Sequence, residues 1–281
     1  MGAKATAWDA IDYAPAPPER LVAPEAHWPF VAEVEMTAAQ RVAMNRLALR
    51  FSCEMVAHFE RYIVDYLEQH RDRLGGTLSA RAAQVFADDE RRHVGGFLRL
   101  LRALEPGEYP GDALAFFRWS ALDAAVVRLA PAVTFFVATE LLEEMFLHLH
   151  HDLEEHPEDA LPLARAVMAL HAREEKSHLA MDDRVIRGRR AAMPAWRFAL
   201  EAVASLAIVL VVDRKTQRAW RRAIAERAAR LGLSDAQARR LAQKRLSRSD
   251  VRGMRAWIER RRREPFPGSR LLCAALELAL P

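Results

Sequence analysis

The sequence predicts an all-α protein, a four-helix bundle with additional C-terminal helices. Three observations predict it. Hydrophobic residues make up 51% of 281, Gly is sparse at 11 residues, and Ala, Leu, Arg and Glu dominate, which is the composition of helices. Apolar residues recur at helical spacing through long stretches, with no strand-like alternation. Two Glu-x-x-His elements, Glu90-Arg-Arg-His93 and Glu175-Lys-Ser-His178, each sit in such a stretch, and each follows another stretch with glutamates among its apolar residues.

The elements can be placed in order. Residues 1 to about 36 carry Pro15, Pro17, Pro18, Pro24 and Pro29 and are expected to form an arm laid over the surface. A long helix should run from Thr37, as cap, to His70. Gly75-Gly76 makes the turn, Thr77 or Ser79 caps the next helix to about Leu104, and Pro106 to Gly111 breaks the chain. A helix from about Ala113 to Leu129 leads to Pro131, which suits the first turn of a helix reaching Glu155. His156-Pro157 connects it to the helix that carries Glu175 and ends near Gly188, and Pro194 opens another. Further helices fill 214–280, broken at Gly232, Gly253 and Pro265-Phe-Pro-Gly268. Residues 37–281 are read as a single helical domain, with the chemistry in the 38–190 bundle and an Arg-rich helical part behind it.

Charge and composition exclude several function classes. Net charge is +4, yet Asp213 to Glu264 holds 18 Lys/Arg against 6 Asp/Glu, a local +12 that leaves −8 elsewhere. The segment is read as solvated Arg-rich helix faces. Only Lys4, Lys176, Lys215 and Lys244 are lysines, which points to coding bias toward Arg, and no nucleic-acid partner is expected. Cys53 and Cys273 form no metal or redox spacing, and Met1 to Pro24 shows no apolar signal core, so a cytoplasmic protein is expected. The longest apolar run, Phe198 to Val212, contains Glu201 and is too short to span a bilayer, so it is expected to be a buried bundle helix without a membrane span. No phosphate-binding Gly loop and no nucleophile elbow is present. His148, His150, His151 and His156 read as solvated, and Trp8, Trp28 and Trp119 carry no motif.

The doubled Glu-x-x-His carries the chemistry. Residues three apart on a helix share a face, so each Glu and His pair can grip one metal ion. Two such pairs plus one Glu from each of two other helices form the ligand set of a carboxylate-bridged dinuclear site. Hairpin symmetry selects the upstream glutamates. Glu60 and Glu90 are centred on residue 75, the Gly-Gly turn, and Glu140 and Glu175 on the His156-Pro157 connection, with Glu54 and Glu144 in reserve. His171 stands one turn before Glu175 on the same face as His178 and is read as a seventh ligand. Carboxylates with a few imidazoles suit two Fe ions, or Mn, more than zinc. A metal-bound His passes its second ring nitrogen to a carboxylate, so Asp89 and Glu174 are expected to reach across to the opposing helix's His, with Asp182 a further candidate.

Asp89-Glu90-x-x-His93 followed by His171-x-x-x-Glu175-x-x-His178 resembles the diiron N-oxygenase family typified by p-aminobenzoate N-oxygenase, over roughly residues 38 to 190. The resemblance implies a ferritin-like bundle and a dinuclear iron site with an extra histidine. It implies iron ligation by Glu90, His93, His171, Glu175 and His178 plus a glutamate from each preceding helix, and O2-dependent conversion of an aryl amine to a hydroxylamine or nitro compound. A small-molecule substrate, an external ferredoxin- or reductase-like electron donor and a homodimer are the expected partners. Other ferritin-like diiron or dimanganese oxidases, hydroxylases or catalases are the alternative enzymes, and iron storage is the alternative of another class.

Overall fold

The computed structural model describes residues 6–28, 33–243 and 247–280; Pro29 and Lys244, which entered the reading of the arm and of the basic segment, lie outside them. Nine α-helices and no strand occur among the described residues: α1 Ala38–His70, α2 Ala80–Leu104, α3 Ala121–Leu129, α4 Ala132–Glu155, α5 Pro162–Ala192, α6 Ala195–Arg227, α7 Asp235–Leu241, α8 Arg248–Arg263 and α9 Ser269–Glu277. The fold is an all-α, ferritin-like bundle. Hairpins α1/α2 and α4/α5 form its four long helices, α8 and α6 pack on α4, and α3 packs on α1.

Local chemistry starts most of these helices. Thr37 and Gln40 close a capping box on α1, Ser79 caps α2, and Ser120 with Asp123 boxes the start of α3. Pro162 opens α5 at its first turn, where its missing N–H costs nothing. The expected helix from Ala113 is shorter than the pattern suggested. It begins only at Ala121, because Ser120 and Asp123 exchange the capping bonds there. The chain then bends by 118° into α4, whose first residue follows Pro131.

Two other expectations are corrected. Gly253 does not break a helix; it lies inside α8, where an added Cβ would stand 2.3 Å from the Cα of Met145 on α4. The bare Gly lets the two backbones approach, which brings the Arg-rich helix against the bundle. The apolar helix α6 is not buried. It is 33 residues long, its most apolar window has mean hydropathy 1.9, and only 22% of that window is buried, so by length and composition it could cross a membrane. One face, with Phe198, Ala202, Ser205 and Ile208, meets the bundle, while Trp196, Leu200 and Leu210 face outward.

The N-terminal arm is part of the core. The Asn45 side chain accepts from the backbone N–H groups of Val22 (2.9 Å) and Ala23 (3.1 Å), and donates to the Ala23 carbonyl. His27 shares a 2.6 Å bond with Asp152, which also pairs with Arg252 on α8 at 2.7 Å. Buried polar groups matched in this way tie the arm to α1 and to the far end of α4.

Candidate metal centre

Each helix of the bundle contributes inward-facing polar side chains at one level, all buried: Glu60 from α1, Glu90 and His93 from α2, Glu143 from α4, and His171, Glu175 and His178 from α5. On α5 the three fall at i, i+4 and i+7, so one helix face presents them all. His93 Nδ1 lies 3.3 Å from Glu60, 3.2 Å from Glu90 and 3.2 Å from Glu175. His171 Nε2 is 2.9 Å from Glu60 and 3.0 Å from Glu175, and His178 Nδ1 is 3.1 Å from Glu90 and 3.4 Å from Glu175. Potential ligand atoms thus gather in two overlapping groups, Glu60–His93–His171–Glu175 and Glu90–His93–Glu175–His178. Glu175 and His93 belong to both, and one Glu175 carboxylate oxygen faces all three imidazoles.

Of the two carboxylates expected to meet these histidines from outside, Glu174 reaches its histidine and Asp89 stops short of a hydrogen bond. Glu174 approaches His93 Nε2 at 3.0 Å, and Asp89, paired with Arg92, stands 3.6 Å from His178 Nε2. Asp182 is fully buried one turn beyond His178.

The donor set fits divalent cations. Glu90 Oε1 and both polar atoms of Glu143, Glu175, His178 and Asp182 are buried and make no hydrogen bond of acceptable geometry. So many orphaned buried donors and acceptors are costly unless something binds them. The charge balance points the same way. Burial alone would push His93 down, yet Glu60, Glu174 and Glu175 hold its imidazole well above the usual value. Burial would raise Glu175, but His171, His178 and His93 hold it well below. Glu143 is pushed well up, first by burial and then by Asp182, Glu175 and Glu60 around it, and Asp182 is pushed up by burial and by Glu140. As side chains alone the cluster balances its charge by sharing protons, which a bound cation displaces. Among the described residues neither group includes a cysteine.

Glu140, the upstream glutamate that hairpin symmetry favoured, is turned away from this cluster. Its carboxylate accepts from Trp257 Nε1 at 3.1 Å and pairs with Arg261 and, at 3.2 Å, with Arg260, all on α8. Glu144 pairs with Arg260 at 2.8 Å. Glu54, the other reserve, accepts from Tyr109 Oη at 2.7 Å and from the Phe116 N–H at 2.6 Å on the outer side of α1. Height along the hairpin cannot separate Glu140 from Glu143. The α4/α5 connection spans 156–161, centred on 158.5, and their midpoints with Glu175 are 157.5 and 159. Facing decides, and facing depends on α8. The arginines of α8, expected on solvated faces, are therefore partly internal, with Arg261 only 3% exposed.

A second residue has no signal in the sequence. Trp8, on the 3₁₀ turn Ala7–Ala10 of the arm, donates its indole N–H to Glu174 at 3.0 Å, and its ring lies 5.5 Å from that of His93. Phe86 and Phe97 stand 4.5 and 4.9 Å from the His178 and His171 rings, giving the site an apolar wall that keeps water out.

A family model described as P-aminobenzoate N-oxygenase AurF matches residues 5–263. The chain belongs to the p-aminobenzoate N-oxygenase family. The match covers the arm that carries Trp8 and reaches the end of α8, well beyond the 38–190 stretch in which the N-oxygenase motifs lie. No curated protein and no solved structure matches the chain.

Proposed function

We propose that the protein is an O2-dependent diiron monooxygenase that N-oxygenates a small aryl amine-like substrate in secondary metabolism. The observation that carries this reading is the buried, unsatisfied carboxylate–imidazole cluster in a member of the N-oxygenase family. In it Glu60, Glu90, His93, Glu143, His171, Glu175 and His178 would hold the two ions, with Glu175 facing all three imidazoles. Bound there, a pair of irons supplies the electrons that activate dioxygen. The chain's own groups do the rest. Three imidazoles place neutral nitrogen donors beside anionic carboxylates, Glu174 keeps His93 in orientation, and Phe86 and Phe97 wall the site with apolar rings. Electrons arrive from a separate ferredoxin- or reductase-like donor, and the chain works as a cytoplasmic homodimer.

The test is anaerobic ferrous loading, metal analysis after desalting, then exposure to O2 with p-aminobenzoate and a reductant, with products read by mass spectrometry. About two irons per chain and a product heavier by oxygen atoms on nitrogen are expected. Stoichiometry near one with zinc preferred, or full iron loading with oxidation only at carbon, would refute the respective halves of the reading.

A further inference from the structure

Trp8, Glu174 and His93 form a continuous hydrogen-bonded path from the outer arm to the metal centre. Trp8 Nε1 donates to Glu174 Oε2 at 3.0 Å, and the same oxygen lies 3.0 Å from His93 Nε2, the nitrogen facing away from the cluster. The indole is 1% exposed, yet Ala7, Asp9 and Ala10 on either side of it face solvent, so the ring is one layer beneath the surface. The placement is built in. A Cβ at Gly96 would fall 2.1 Å from the indole, so only Gly there lets the ring settle on α2. Asp9 anchors the turn, closing a capping box with Thr6 and pairing with Arg99 at 3.1 Å. A purely apolar plug would need neither the indole N–H nor a carboxylate shared with a ligand histidine.

We propose that Trp8 is a redox relay that passes single electrons from an external donor to the metal centre, with Glu174 as its positioning residue. The proposal rests on the diiron reading. Were iron bound there and oxidised by dioxygen, the indole would give up one electron to the centre and become a radical cation. Its N–H proton stays in the bond to Glu174, whose negative charge stabilises the radical. A one-electron donor of the reduced iron–sulfur or flavin class, docked at the outer face of the arm, refills the indole. The donor loses one electron, the centre gains one, and Trp8 and Glu174 end as they began. Indole is among the side chains most readily oxidised by one electron, and the short ring-to-ring separation favours transfer.

The experiment mixes ferrous-loaded protein with O2 in the absence of substrate and samples it by rapid freeze-quench electron paramagnetic resonance. Wild type should give an indole radical, which ascorbate as one-electron donor quenches at least tenfold faster than its spontaneous decay. Trp8→Phe keeps an aromatic ring over Gly96 and should bind the same iron without forming the radical. Glu174→Gln keeps the hydrogen bonds without the charge and should shorten the radical's lifetime at least tenfold. No radical in iron-loaded wild type, or an undiminished one in Trp8→Phe, overturns the relay. Loss of iron in both variants shows that Trp8 and Glu174 only shape the site and overturns it equally. Wild type that binds no iron sinks the diiron reading itself, a different and prior failure.

Discussion

Glu140→Ala and Glu143→Ala, three residues apart on one helix, should have opposite effects. Glu140 is fully buried and faces Trp257 Nε1, Arg261 and Arg260. Its removal strands Arg261, 3% exposed, with no other carboxylate nearer than Asp183 at 3.9 Å. Breaking a buried pair from one side costs about 3–5 kcal/mol. Arg260 keeps Glu144 at 2.8 Å and the repulsion of Asp182 is relieved, so the lower end applies. At roughly 2–4 °C per kcal/mol for a domain of this size, the Tm of the metal-free protein should fall on the order of 10 °C. Its iron content should stay near that of wild type. Glu143→Ala removes a carboxyl that burial, Asp182, Glu175 and Glu60 all disfavour as an anion. The metal-free protein should then melt higher, while iron retained after desalting drops. Thermal melts of metal-free protein, paired with iron analysis of the loaded protein, read both effects. A Glu140→Ala protein that loses iron while melting within about 1 °C of wild type would refute the placement of Glu140 on α8.

His171→Ala should keep the fold and most of the iron while altering the optical and Mössbauer spectra, because a nitrogen donor leaves one ion; unchanged spectra would remove His171 from the ligand set. Gly253→Ala should cost about 1–3 kcal/mol by overpacking against the Met145 backbone and so lower the Tm, although alanine ordinarily favours a helix interior; a higher Tm would show that α8 stands off α4. Asp123 carries a pH test. Burial alone would raise its carboxyl, but His58 nearby and hydrogen bonds from Lys215, Tyr62 and Ser120 hold it below its usual 3.8. The stabilisation is therefore present above that value and lost as pH falls below it, so Asp123→Asn should melt lower than wild type near neutrality and converge with it in acid. Parallel melting curves at all pH values would contradict this network.

Local chemistry was readable from residue order alone. Thr37 and Ser79 start their helices through groups within a turn of the helix start, and the Glu-x-x-His spacing places both members of each pair on one face whatever surrounds them. The level of Glu60 beside Glu90 followed too, because the connection between α1 and α2 is centred on the Gly-Gly turn. The bond of Glu174 to His93 across the hairpins needed only the rule that such a histidine seeks a second partner, whereas Asp89, placed by the same rule, stands 3.6 Å from His178. Long-range contacts decided the remainder. Glu140 and Glu143 lie at nearly equal heights, and only the docking of α8, more than 100 residues later and dependent on the missing side chain of Gly253, turns Glu140 to arginine and away from the cluster. The outward apolar face of α6 depends on where that helix lies on the bundle, which periodicity does not specify. Trp8 reached the site because an arm with no helical pattern folds back over Gly96. A tryptophan and a glycine 88 positions apart carry no mutual signal until packing brings them into contact.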